Sequence, residues 1–135
     1  MFLLDTDIIS YLMLETPPPP LTRRAAQEKT EHQHLSAITV AEVAFGAHRS
    51  GRPGYYIDRF RQVISGLRIA AFDLDAAWRY GELRAELERR GAPLAEPDLR
   101  IASIALARGL VLVTHNRRHF KRVPGLVLQD WATEG

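Results

Sequence analysis

The chain contains no cysteine. Disulfide crosslinks and thiolate zinc sites are therefore excluded, and nothing points to an oxidising compartment. Lysine is scarce as well: Lys29 and Lys121 are the only two, so arginine carries most of the positive charge. Charge of neither sign dominates. Against 18 basic residues stand 16 acidic ones, a formal net charge of +2, which permits nucleic-acid binding without arguing for it. No apolar run approaches the roughly 20 residues that span a membrane. The opening Phe2-Leu3-Leu4 is interrupted at once by Asp5 and Asp7, so no signal peptide is expected. The expectation is a soluble, cytoplasmic protein with no membrane partner. What the chain has in quantity is apolar surface: 46% of its 135 residues are hydrophobic, enough to build the core of one domain spanning 1–135.

The pattern along the chain alternates short apolar runs with helical stretches. Phe2–Leu4 reads as a buried strand, after which Asp7 can N-cap a helix from Ile8 to about Leu14. Pro17 to Pro20 read as a stiff connector, and Leu21 to Glu31 as a second helix. Leu35–Ile38 reads as a strand and Thr39 to about His48 as a helix. Gly51-Arg52-Pro53-Gly54 is a break, and Tyr55–Ser65 is helical with Tyr56, Phe60 and Ile64 on one face. Leu67–Phe72 reads as a strand. Asp73 and Asp75 offer caps for a helix to Arg90, with Ala76, Tyr80, Leu83 and Leu87 as its apolar stripe and Gly91 as its stop. Asp98 opens a helix that closes at Gly109. Leu110–Val113 lacks polar alternation, as befits a parallel strand buried on both faces, and Leu126–Leu128 fits a last strand. Strands separated by helices predict an α/β fold, a mostly parallel central sheet with helices on both faces.

In such sheets ligands bind beyond the carboxyl ends of the strands, where the strand order reverses. That rule singles out Asp5, Glu42 and Asn116, which directly follow strands or sit in the next helix. Asp98 joins them only if its loop brings the helix start to the same edge. Gathered carboxylates repel one another unless a cation neutralises them. Oxygen donors without cysteine favour Mg²⁺ or Mn²⁺, and such an ion suits phosphodiester hydrolysis. Each acid also has an ordinary use. Asp7 and Asp98 are plausible helix caps, and Glu42 completes a Thr39-x-x-Glu42 capping box. Asp5, ending an apolar strand, has no such role by sequence. On charge alone, the run Arg117, Arg118, His119, Lys121, Arg122 reads first as a solvated loop. The pairs His32/His34 and His115/His119 have metal-ligand spacing but no third ligand. On the residues alone, a haloacid-dehalogenase-type phosphatase and a non-catalytic RNA-binding or response-regulator-like α/β module also stay open.

The motifs carry a family resemblance. Phe2-Leu3-Leu4-Asp5-Thr6-Asp7, the segment Ser36 to Ala47 around Glu42, Pro97-Asp98-Leu99-Arg100-Ile101-Ala102 and Val113-Thr114-His115-Asn116 with His119-Phe120 stand in family order. The tail Val123-Pro124-Gly125-Leu126 is also typical. Together they resemble the PIN-domain ribonucleases, and within them the VapC toxins of bacterial toxin–antitoxin pairs. The resemblance implies a PIN-like three-layer α/β/α sandwich and Mg²⁺- or Mn²⁺-dependent cleavage of tRNA or rRNA. A PIN nuclease of RNA processing outside such pairs is the alternative. Asp5 and Asp98 would ligate the metal, Glu42 would assist as a general base, and Asn116 would stand where many PIN domains carry a fourth acid. Thr6 and Thr114 would place hydroxyls near the metal or phosphate, and Arg117, Arg118 and Lys121 would grip RNA phosphates. Asp7 departs from the usual Asn. A homodimer and a cognate antitoxin are implied, with apolar residues of the Ile8–Leu14 and Tyr55–Ser65 helices lining the antitoxin's groove.

Overall fold

The computed structural model describes residues 1–133; Glu134 and Gly135, the end of the expected domain span 1–135, lie outside the described residues. Five strands form its centre: β1 (Phe2–Leu4), β2 (Gln33–Ser36), β3 (Arg68–Ala70), β4 (Val111–Val113) and β5 (Leu128–Gln129). They pair in the order β3-β2-β1-β4-β5, every pair parallel. The chain thus builds outward from β1 in one direction, then returns to add β4 on its other side. The reversal falls between β1 and β4.

Helices cover both faces: α1 (Thr6–Leu12), α2 (Pro19–Gln27), α3 (Ala37–Arg49), α4 (Pro53–Ile64), α5 (Leu74–Arg89), α6 (Glu96–Arg108) and the single turn α7 (Arg117–Phe120). The strand period of two divides the core. Leu3 and Leu112 point to one side, against Leu83 and Leu87 of α5, Ile101 and Ile104 of α6, and Phe120. Leu4, Leu35 and Val113 point to the other, against Ile8 and Ile9 of α1, Leu21 of α2, Phe60 of α4 and Trp131. This is the expected three-layer α/β/α arrangement.

Several boundaries differ from expectation, each for a local reason. Pro19 and Pro20 open α2, because the first turn of a helix needs no amide donor. That helix ends at Gln27, and a 3₁₀ turn at Thr30–His32 leads into β2, two residues earlier than predicted. Ser36 caps α3 by accepting from the Thr39 amide at 3.0 Å, so the capping box predicted from Thr39 to Glu42 does not form. Asp7 does not cap α1. Asp5 does, through its Oδ1 and the Thr6 amide at 2.8 Å. Asp98 lies inside the first turn of α6, whose cap residue is Ala95. The last strand is shifted to Leu128–Gln129, set by the pairing of Leu112 with Leu128. Other signals hold. Asp73 caps α5 through the Ala76 amide, and Gly109 ends α6 in the left-handed region at φ +64°, where a Cβ is disfavoured.

After β5 the chain runs back across the sheet as a strap. Trp131 is fully buried, packs edge-on against Phe2 at 5.0 Å and lies under the Arg24 guanidinium at 5.1 Å. Its indole donates to Gln129 Oε1 at 2.9 Å. The prediction is that Trp131→Ala lowers unfolding stability by about 3–5 kcal/mol, read by urea denaturation with an unchanged m-value.

Candidate active site

The end of β1 places Asp5 at the reversal point, buried with 4% exposure. Its amide donates to Val113 O at 2.9 Å, which locks it beside the end of β4. The next residue on β4, Thr114, is also buried and donates its hydroxyl to Asp5 Oδ2 at 2.8 Å. Asp5 therefore has one oxygen on Thr114 and the other on the Thr6 amide. Burial and the charges of Asp7 and Asp98 oppose these bonds. Together they push the Asp5 carboxyl up to about 7, with burial the largest cause and Asp7 the next.

Asp98 is brought in by α6, which packs beside α5 and over β4. Burial raises its carboxyl above the ordinary range, the Glu42 charge raises it further, and His119 pulls the other way. Asp7 adds to the rise, and its own carboxyl is likewise raised by burial. Asp5 and Asp98 thus each feel the charge of Asp7, Asp5 feels that of Asp98, and Asp98 feels that of Glu42, at the edge where the strand order reverses. The loop that had to deliver Asp98 does so.

Glu42 is held by a file of hydroxyls. Thr6 Oγ1 donates to Glu42 Oε1 at 2.7 Å. With that proton spent, the 2.9 Å contact between Thr6 and Thr39 must be donated by Thr39, and Ser36 donates to Thr39 at 3.3 Å. The whole file points at one carboxylate oxygen, Oε1, and not at Oε2. Thr6 and Thr114 were expected beside metal or phosphate; their hydroxyls donate to Glu42 and Asp5, two of the acids expected to form the site.

Asn116 lies at the start of α7, with its amide on Thr114 Oγ1 at 2.9 Å and its side-chain nitrogen 2.7 Å from His119 Nδ1. Arg117, Arg118, His119 and Lys121 are exposed around it. The histidine pairs do not act as pairs. His34 is buried on Phe2 O, while His115 and His119 face different partners. Sequence reading missed the His115 partner: Nδ1 lies 2.9 Å from Oδ2 of Asp130, a buried carboxylate that also accepts from Thr133 and the Ala132 amide. The Trp131 anchor that delivers Asp130 is the signal that could have found it.

Among the described residues no three His, Asp or Glu side chains converge as a ready-made direct ligand set. A hard cation does not require one, since Mg²⁺ keeps several waters and takes one or two carboxylates directly. An all-oxygen donor set with buried, mutually raised carboxyls fits such an ion.

A model of the PIN domain family matches residues 2–126. The chain belongs to the PIN-domain family, in its VapC branch. It is 36% identical over 130 residues to the tRNA(fMet)-specific endonuclease VapC of Salmonella typhimurium, covering 96% of this chain and 97% of that one. It is 34% identical over 131 residues to ribonuclease VapC2 of Rickettsia felis, covering 97% and 98%. The crystal structure of DNA-bound VapBC from Salmonella typhimurium superposes with a TM-score of 0.90 at 35% identity, over 96% of this chain and 97% of that one. Membership of this family displaces the phosphatase and non-catalytic readings.

The raised Asp5 carboxyl has a measurable consequence. A folded-state value near 7 against 3.8 unfolded means that the folded protein retains a proton the unfolded chain releases. Stability is then fully present below about pH 4 and is lost as pH rises through about 7. With chelator present, the melting temperature should fall across that window, and Asp5→Asn should flatten the fall.

Proposed function

We propose that this chain is a Mg²⁺- or Mn²⁺-dependent endoribonuclease, the toxin of a toxin–antitoxin pair, acting in the cytoplasm on tRNA or rRNA. One observation carries the reading: at the strand-order reversal the buried Asp5 carboxyl feels the charge of Asp98, and Asp98 in turn that of Glu42. Their chain positions match those of the family motifs. The sandwich is read as one catalytic unit over 1–135.

Asp5 and Asp98 hold the cation, which when bound neutralises the carboxylates and polarises the phosphodiester. Glu42, fixed by Thr6 on Oε1, offers Oε2 to take the proton of the attacking water. The water oxygen bonds to phosphorus as the P–O bond to the leaving ester oxygen breaks. Asn116 has no charge to give and serves to orient water or phosphate. Arg118, Lys121 and Arg117 are exposed beside the acids and grip the neighbouring RNA phosphates, offsetting the repulsion an acidic pocket exerts on RNA.

The same edge opens onto a groove of about 440 Å³ between α1, α3 and α4, lined by Met13, Leu14, Val43 and Tyr56 and running past Thr6 to Glu42. In this reading the antitoxin lies there and covers the acids, and the toxin works as a homodimer. The groove includes residues from both helices whose apolar faces were expected to line it.

Purified, partner-free protein with Mn²⁺ should cut cellular RNA. Asp5→Asn and Asp98→Asn should each lower the rate on the order of a hundredfold or more. Arg118→Ala should raise KM with little change in kcat. Sequencing the new RNA ends identifies the substrate. Wild-type protein that leaves all RNA intact, or an Asp5→Asn protein with full activity, sinks the reading.

A further inference from the structure

Asp7 is the one acid of the cluster that the family pattern does not account for, and its carboxylate is lopsided. Oδ2 accepts from the His115 amide at 3.1 Å. Thr114 is 3.4 Å from the same oxygen, but its proton is directed to Asp5 at 2.8 Å. Oδ1 is buried and receives no hydrogen bond from any described residue. The Ile8 amide lies close enough to favour the charged form without reaching Oδ1 in hydrogen-bond geometry. A buried acceptor left without a donor is costly, and a charged one more so.

An asparagine would resolve the lopsidedness. Its carbonyl would stay on the His115 amide, and its NH₂ would occupy the Oδ1 position as a donor beside the carboxylates. Aspartate instead puts a second acceptor there, in range of both Asp5 and Asp98. No described donor meets it. What satisfies an unpartnered acceptor beside other carboxylates is a cation.

We propose that Asp7 Oδ1 is a third carboxylate oxygen of the cation site beside those of Asp5 and Asp98, meeting the ion through one of its waters. Asn116, at the opposite side of the Thr114 turn, is neutral and occupied with His119. Asp7 thus restores the negative charge that Asn116 does not supply. The inference rests on the proposed cation site at Asp5 and Asp98, and its test separates the two.

The test is Mn²⁺ binding to the full-length chain by electron paramagnetic resonance, on wild type, Asp7→Asn and Asp5→Asn. Asp7→Asn should weaken Mn²⁺ binding by about tenfold or more. It should also raise the melting temperature of the metal-free protein, because it removes a repulsive charge and replaces the unpartnered acceptor with a donor beside the carboxylates. A merely structural Asp7 would give the opposite sign on melting. Mn²⁺ affinity within about twofold of wild type in Asp7→Asn, with Asp5→Asn impaired, overturns the assignment of Asp7. Unchanged affinity in both variants overturns the cation site as a whole, and Asp7 with it.

Discussion

A carboxylate buried at the end of the central strand is the constraint on which the rest of this structure turns. Asp5 sits where β1 ends and the strand order reverses, with two hydrogen bonds to hold it and two neighbouring acids to oppose it. In a protein built only for stability such a residue would be replaced, because burying charge against like charge is destabilising. Its neighbours are arranged to keep it in place all the same. The Val113 carbonyl fixes its backbone, Thr114 fixes one oxygen and the start of α1 fixes the other. The fold holds a destabilised carboxylate still, as the proposed cation site requires.

The same logic extends outward. Glu42 is steered by a file of three hydroxyls that starts at the cap of α3 and crosses to α1. The cap residue Ser36 therefore does two things: its oxygen accepts the Thr39 amide and its proton begins the file. On the other side, the C-terminal strap pins Trp131 under Phe2 and Arg24, and in doing so sets Asp130 against His115. Both devices hold the loops that follow β1 and β4. Two apolar layers of different composition, one built on α5 and α6 and the other on α1, α2 and α4, clamp the sheet between them.

Much of this was legible in the chain. The apolar run before Asp5, the cap at Asp73 and the stop at Gly109 each have a local cause, and local causes show in sequence. The alternating strand and helix signals were enough for the layered parallel sheet. What was not legible depended on competition or on distance. Ser36 and Thr39 are both good caps, and only the register of β2 decides for Ser36. Asp5 looked free of capping duty because its partner amide is its immediate neighbour, a bond that depends on backbone angles no pattern displays. The approach of Asp98 to Asp5 depends on how α6 packs on α5 and β4. The His115–Asp130 pair depends on a tryptophan docking across the sheet. The motif resemblance supplied the candidate site residues; the hydrogen bonds of Thr6 to Glu42 and of Thr114 to Asp5 span 36 and 109 positions and show in no local pattern.

The central claim is that Asp5 and Asp98 share a divalent cation at the reversal point of the sheet. Anomalous diffraction from crystals soaked in Mn²⁺ tests it most directly. The account predicts a peak about 2.1 Å from a carboxylate oxygen of Asp5 or Asp98, with the other close enough to reach the ion directly or through one water. A peak at His32 and His34 or at any other acidic surface, with the Asp5 pocket empty at saturating Mn²⁺, would contradict it.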